Sequence, residues 1–159
     1  MKFIEFLEKE DPAYEIFRAC LSIVFDKGDG VTEHIERLSN ESKIVYLLWC
    51  FDGEIHNGGF DQLFTNSLGN HCQEILEGLT IVGAETSSKL LSQAMSWFPN
   101  SAPSTDRMER WNQREIFGES QEYEKVVNNL DKEFYKYTDN LTSLINLYVK
   151  HNPDAQIKA

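Results

Sequence analysis

Apolar residues along this chain recur at intervals of three and four, and nowhere alternate with the period of two that a half-buried strand requires. The pattern predicts an all-α fold. Asp11-Pro12 reads as a helix cap followed by a first-turn proline, opening a helix over 12–25 with Ile16, Phe17, Cys20, Leu21 and Val24 on one face. Lys27-Gly28-Asp29-Gly30 is expected to end it. Ser39-Asn40-Glu41-Ser42 opens a second helix whose buried stripe is Ile44, Val45, Leu48, Phe51 and Ile55. Asn57-Gly58-Gly59 stops that helix, since glycine tolerates the backbone of a sharp corner. A short helix over 60–67 follows, then helices over 71–82 and 84–98 separated by Gly83, a proline-containing loop over 99–104, and a helix from about 106 to 117.

The last segment is the most regular. Tyr123, Val127, Leu130, Phe134, Tyr137, Leu141, Leu144 and Tyr148 are spaced alternately by four and three, a seam sustained over about three and a half heptads. It predicts one long C-terminal helix. Phe and Tyr are bulky for the seam of a two-stranded coil, so packing across the core is favoured over a homodimer seam, with an adjacent face left for a dimer. Residues 1–159 are read as a single compact multi-helix domain.

Composition narrows the function. The chain has 159 residues, 41% of them hydrophobic, and ten Phe, six Tyr and three Trp supply more burial than a disordered chain carries. Its net charge of −11 argues against binding nucleic acid or an anionic membrane and favours a cationic partner. The N-terminal stretch is interrupted by glutamates and is not expected to be a signal peptide, and no run has the length of a membrane helix. Cys20, Cys50 and Cys72 form no C-x-x-C pair, and read as free thiols of a cytoplasmic protein.

Chemistry has little purchase. No nucleophile elbow, phosphate-binding loop, dinucleotide fingerprint or H-E-x-x-H string is present. Glu54, His56, His71 and Cys72 are the nearest approach to a metal set. Glu54 and His56, two apart on a helix, diverge by about 200°. No metal, cofactor or catalytic group is therefore expected.

Polar residues do concentrate over 49–69, where Trp49, Glu54, Asn57, Gly58, Gly59, Phe60, Gln62, Asn66, Ser67 and Gly69 describe a helix, a Gly-Gly corner and a second corner. Physically this is a corner-stabilising motif, with Asn57 bonding the backbone of the turn. A polar pocket on Glu54, Asn57 and Gln62 is the enzymatic alternative.

The same string, with Phe64, resembles the signature of a bacterial family of DNA-mimic proteins, and the likeness extends over about 40–100. The resemblance implies an all-α fold. The family's namesake is a dimeric acidic protein that occupies the DNA-binding face of a helix-turn-helix transcription factor, while most other members have no assigned role. The string marks the fold, so mimicry must come from the charges. Residues 1–60 carry twelve acids and six bases, 61–100 four and one, and 101–159 ten and eight. The excess is heaviest in the N-terminal part. The expected partner-binding carboxylates are Asp26, Asp29, Glu33 and Glu36, with Asp52, Glu54 and Asp61 flanking the corner. Glu115, Glu119 and Glu122 form a second row with the spacing of one helical face. The expectation is a non-catalytic protein that binds a basic DNA-binding protein. The alternative is an immunity-type inhibitor of a basic toxin.

Overall fold

The computed structural model describes residues 11–25 and 34–156. They form seven α-helices: α1 Pro12–Val24, α2 Asn40–Thr65, α3 Cys72–Ile81, α4 Glu85–Met95, α5 Arg107–Glu115, α6 Gln121–Tyr135 and α7 Leu141–His151. Short 3-10 turns lie at Ile35–Arg37, Ser67–His71, Pro99–Ser101 and Pro153–Ala155. No strand occurs among the described residues, so the fold is all-α.

Helix starts fall where short polar side chains can accept from exposed N–H groups. Asp11 accepts from the Tyr14 N–H at 3.2 Å, Ser39 from Ser42 at 3.1 Å, Asp106 from Glu109 at 2.8 Å and Ser120 from Tyr123 at 3.2 Å. α4 begins on Ala84 and has no cap of its own. Asp139, far along the chain, supplies one by accepting from the Ser87 N–H at 2.6 Å. The Gly28 and Gly30 stop for α1 lies outside the described residues, and the helix ends at Val24 with Phe25 as its cap.

α2 is the spine. It packs against α1, α3, α5, α6 and α7, while α4 rests on α3 and α6. Four consecutive residues, Val45, Tyr46, Leu47 and Leu48, are buried, which happens only to a helix enclosed on every side. The stripe read from the sequence is therefore narrower than the buried surface of this element. α2 does not stop at the glycines. It passes through one residue of non-helical backbone, Gly59 at φ 74° and ψ −173°, and continues to Thr65.

The long C-terminal helix does not form. The seam divides into α6 and α7 at Tyr137, whose φ is 53°. The break is held by side chains. The Tyr137 hydroxyl donates to Asp52 Oδ2 at 2.8 Å and accepts from the Thr142 N–H at 3.2 Å. Asn140 then caps α7 by accepting from the Ser143 N–H at 3.0 Å. The seam keeps its phase because Tyr123, Val127, Leu130 and Phe134 bury toward α2 and α4, and Leu141 toward α2 and α1. Asn146 ties α7 to the start of α1, accepting from the Ala13 N–H at 2.9 Å and donating to Asp11 at 3.0 Å.

The cysteines are free thiols; Cys20 and Cys72 are buried, and burial pushes each up to about 12, so neither is a nucleophile at neutral pH. No helix among the described residues is long and apolar enough to cross a membrane.

Candidate functional site

The 49–69 string builds two corners. At the first, Gly59 turns the backbone and the Phe60 N–H, freed by the kink, is accepted by Asp131 Oδ1 of α6 at 2.9 Å. A Cβ on Gly59 would lie 2.3 Å from that carboxylate. Phe60 is buried edge-to-face against Phe134. Gln62 and Asn66 both donate to Glu54 Oε1, so this carboxylate clamps the two segments of α2 together. A Cβ on Gly58 would run into the Gln62 side chain. Trp49 stacks on Phe17 at 5.8 Å and tilts against Tyr14 at 5.6 Å, joining α2 to α1. Asn57 does not do what its position suggested. Its side chain is exposed and makes no hydrogen bond among the described residues, because the acceptor at this corner comes from Asp131. With Glu54 occupied and Asn57 turned outward, the three residues of the enzymatic alternative do not converge.

The second corner rests on Arg110, which the motif reading missed. It is fully buried, and four of its N–H contacts reach Phe64 O at 2.8 Å, Asn66 O at 2.8 Å, Ser104 O at 2.7 Å and Asn70 Oδ1 at 3.0 Å. A Cβ on Gly69 would meet the Leu63 main-chain oxygen at 2.5 Å and Arg110 Nε at 2.7 Å. Two of the acceptors are main-chain carbonyls at the end of α2, the groups a helix C-terminus leaves without partners and where its dipole is negative. Desolvation pushes the guanidinium down from its ordinary value, yet an arginine stays charged in a protein.

Arg110 is one of three arginines spaced three and four apart on α5, and all three face α2. Arg107 donates to Thr65 O at 2.9 Å. Arg114 makes a two-pronged pair with Asp61, at 2.7 Å from Nε and 2.7 Å from Nη2. The Tyr123 hydroxyl adds a third bond to Asp61 at 2.7 Å. The hydrogen bonds to Asp61, helped by its charge and opposed by burial, raise Arg114, and burial followed by the Asp61 charge raises Tyr123. The arginine stripe at helical spacing was visible in the sequence and is the signal that could have located this packing.

The carboxylates expected to meet a partner are distributed unevenly. Asp26, Asp29 and Glu33 lie outside the described residues. Glu36 is exposed and bonds His34 at 3.2 Å; the main-chain hydrogen bond it accepts, followed by the His34 contact, holds it below the usual carboxylate range. Asp52, Glu54 and Asp61 are half-buried and spent on internal bonds. His56 Nδ1 lies 3.1 Å from Asp52 Oδ1 but aims its bond at the Asp52 main-chain oxygen, leaving Oδ1 without a hydrogen bond. Glu115, Glu119 and Glu122 do not share one helical face. α5 ends at Glu115, the Gly118 N–H closes the turn on Arg114 O at 2.7 Å, and α6 starts after Ser120. All three are exposed, as is Glu124, and none makes an ion pair among the described residues. Over 106–124 the chain has six acids and three arginines, and burial or pairing removes Arg110 and Arg114 from that surface. Within the nearly balanced C-terminal third, this segment thus carries an acidic excess that the inward turn of its arginines enlarges at the surface.

Asp131 carries a testable consequence. Burial lifts its carboxyl above the ordinary range, opposed by the Phe60 N–H and assisted by the Asp61 charge. A carboxyl that binds its proton more tightly when folded favours the fold below its unfolded pKa, and loses that contribution as pH rises through the folded value. Asp131→Asn keeps an oxygen for the Phe60 N–H and removes the charge. Relative to the parent it should therefore gain stability as pH rises from about 4. Urea melts of both proteins at pH 4 and pH 7 read this; a variant that loses stability relative to the parent toward pH 7 contradicts it.

The geometry defines an all-α scaffold, cross-braced by arginine hydrogen bonds to main-chain carbonyls and by the Arg114–Asp61 pair, with exposed carboxylates around the α5–α6 turn. Residues 36–152 match the family model of the DMP19-like proteins. The chain belongs to this family, and the match runs through the C-terminal helices, well beyond the 40–100 stretch whose motif is most evident. No curated protein and no solved structure matches the chain.

Proposed function

We propose that this chain is a non-catalytic cytoplasmic binding protein, folded as one domain, that occupies the basic DNA-binding surface of a DNA-binding protein. Its membership of the DMP19-like family supports the DNA-mimic reading. The observation that carries it is the internal consumption of cations. Arg110 and Arg114 are turned inward, while Glu115, Glu119, Glu122 and Glu124 stand exposed without ion pairs among the described residues. Carboxylates gathered around the α5–α6 turn offer a basic protein what DNA phosphates offer it, anions to neutralise. Neither Asp52, Glu54 nor Asp61 is assigned to the docking surface, because each holds the scaffold together.

The test is capture from the native host at about 50 mM and about 500 mM salt, followed by competition with duplex DNA. The expected result is a DNA-binding protein retained at low salt, released at high salt, and displaced by its own duplex. Retention of a toxin that DNA does not displace favours the immunity-type reading. Capture indifferent to salt argues against both.

A further inference from the structure

α5 is inverted relative to an ordinary surface helix. Its buried residue is a cation, Arg110, while its large apolar side chains point outward. Met108 is 62% exposed and Trp111 41%, and Ile116, just past the helix, 83%. Scattered apolar residues on a surface are normal, but here three lie within nine positions around one short helix. The Trp111 ring is also held in place. Its Nε1–H donates to Thr65 O at 2.8 Å, and the Arg107 guanidinium lies over it at 5.1 Å. A fixed aromatic loses little freedom on binding, which is why tryptophan is common among residues that dominate interfaces.

We infer that this face of α5, with the acidic turn after it, is the docking surface for an amphipathic basic helix of a partner protein. This rests on the proposed function and specifies where and how the partner binds. Met108, Trp111 and Ile116 supply the apolar centre, and Glu115, Glu119 and Glu122 the anionic rim. Charge decides against a second copy as occupant. A two-fold contact sets the same surface against itself, and carboxylates without ion pairs would then meet carboxylates. A partner with apolar and cationic side chains on one face matches both components. Contact of this kind is only partly screened by salt, unlike a purely phosphate-like row of charges.

The experiment uses the full chain and two synthetic peptides of equal length, an amphipathic Lys/Leu helix and oligolysine. Hydrogen exchange and tryptophan fluorescence follow binding. The amphipathic peptide is expected to bind about tenfold more tightly and to protect 107–122. M108S/I116S, at exposed positions, should erase that preference without lowering the melting temperature, and Trp111→Phe should abolish most of the fluorescence change. E115Q/E119Q/E122Q should weaken both peptides. Equal affinity for the two peptides overturns the inference. So does protection centred on another acidic face such as Glu74 and Glu77, an outcome that leaves the basic-partner reading standing. Binding of neither peptide counts against that reading as well. Concentration-dependent protection of α5 without peptide assigns the face to a second copy and likewise overturns the inference.

Discussion

Arg110→Met is expected to lower stability by about 3–5 kcal/mol, a large share of the 5–15 kcal/mol typical of a domain. Methionine fills much of the space, so the cost is not chiefly a cavity. It comes from four acceptors, Phe64 O, Asn66 O, Ser104 O and Asn70 Oδ1, that lose their donors together. Replacing both members of a buried ion pair by apolar groups is often neutral. That escape is closed here because three of the partners are main-chain carbonyls, which no substitution removes. Partial access of water to three of the four bonds keeps the total below the full sum of desolvation penalties. Arg110→Lys should recover less than half of the loss, since one ammonium cannot span the acceptors that a planar guanidinium reaches. Urea unfolding with an unchanged denaturant slope measures it, and a loss under about 1 kcal/mol would mean that water replaces the guanidinium at the end of α2.

Gly59→Ala comes next, with an expected loss of about 3–4 kcal/mol. Two effects combine. The backbone at φ 74° and ψ −173° belongs to a region that is essentially glycine's own. The new methyl would also displace the Asp131 carboxylate, leaving the Phe60 N–H without its acceptor. A double-mutant cycle separates them. In an Asp131→Ala background the methyl meets no carboxylate and breaks no bond, so the second penalty should shrink by about 1 kcal/mol or more. Equal penalties in the two backgrounds would leave backbone strain as the whole effect.

Both sites bear on what a local reading can capture. Gly59 was legible as a corner because glycine pairs after a periodic helix are strong punctuation. What crosses the corner was not legible. Asp131 lies 71 positions from the Phe60 N–H it accepts. Asn57, the adjacent polar residue, took its place in a local argument and makes no such bond. The seam of the C-terminal segment misled for a related reason. A heptad phase records which residues face inward, and two helices facing the same core preserve it across a break. The Asp139-Asn140 pair carried the missed signal, one residue capping α4 from a distance and the other capping α7.

By itself the sequence determined the all-α class, most helix starts, most of the core aromatics though not Tyr46, and the family to which the chain belongs. These follow from periodicity and capping, whose physics acts over a few neighbouring residues. Only the tertiary structure decided which charges reach the surface. An arginine is the same letter whether it meets water or the carbonyls at a helix end, and charges add along a chain in any order. The arginine stripe of α5 folds against α2, Asp61 neutralises Arg114 and the glutamates beside them stay outside, so a moderate acidic excess in the sequence becomes a larger one at the surface.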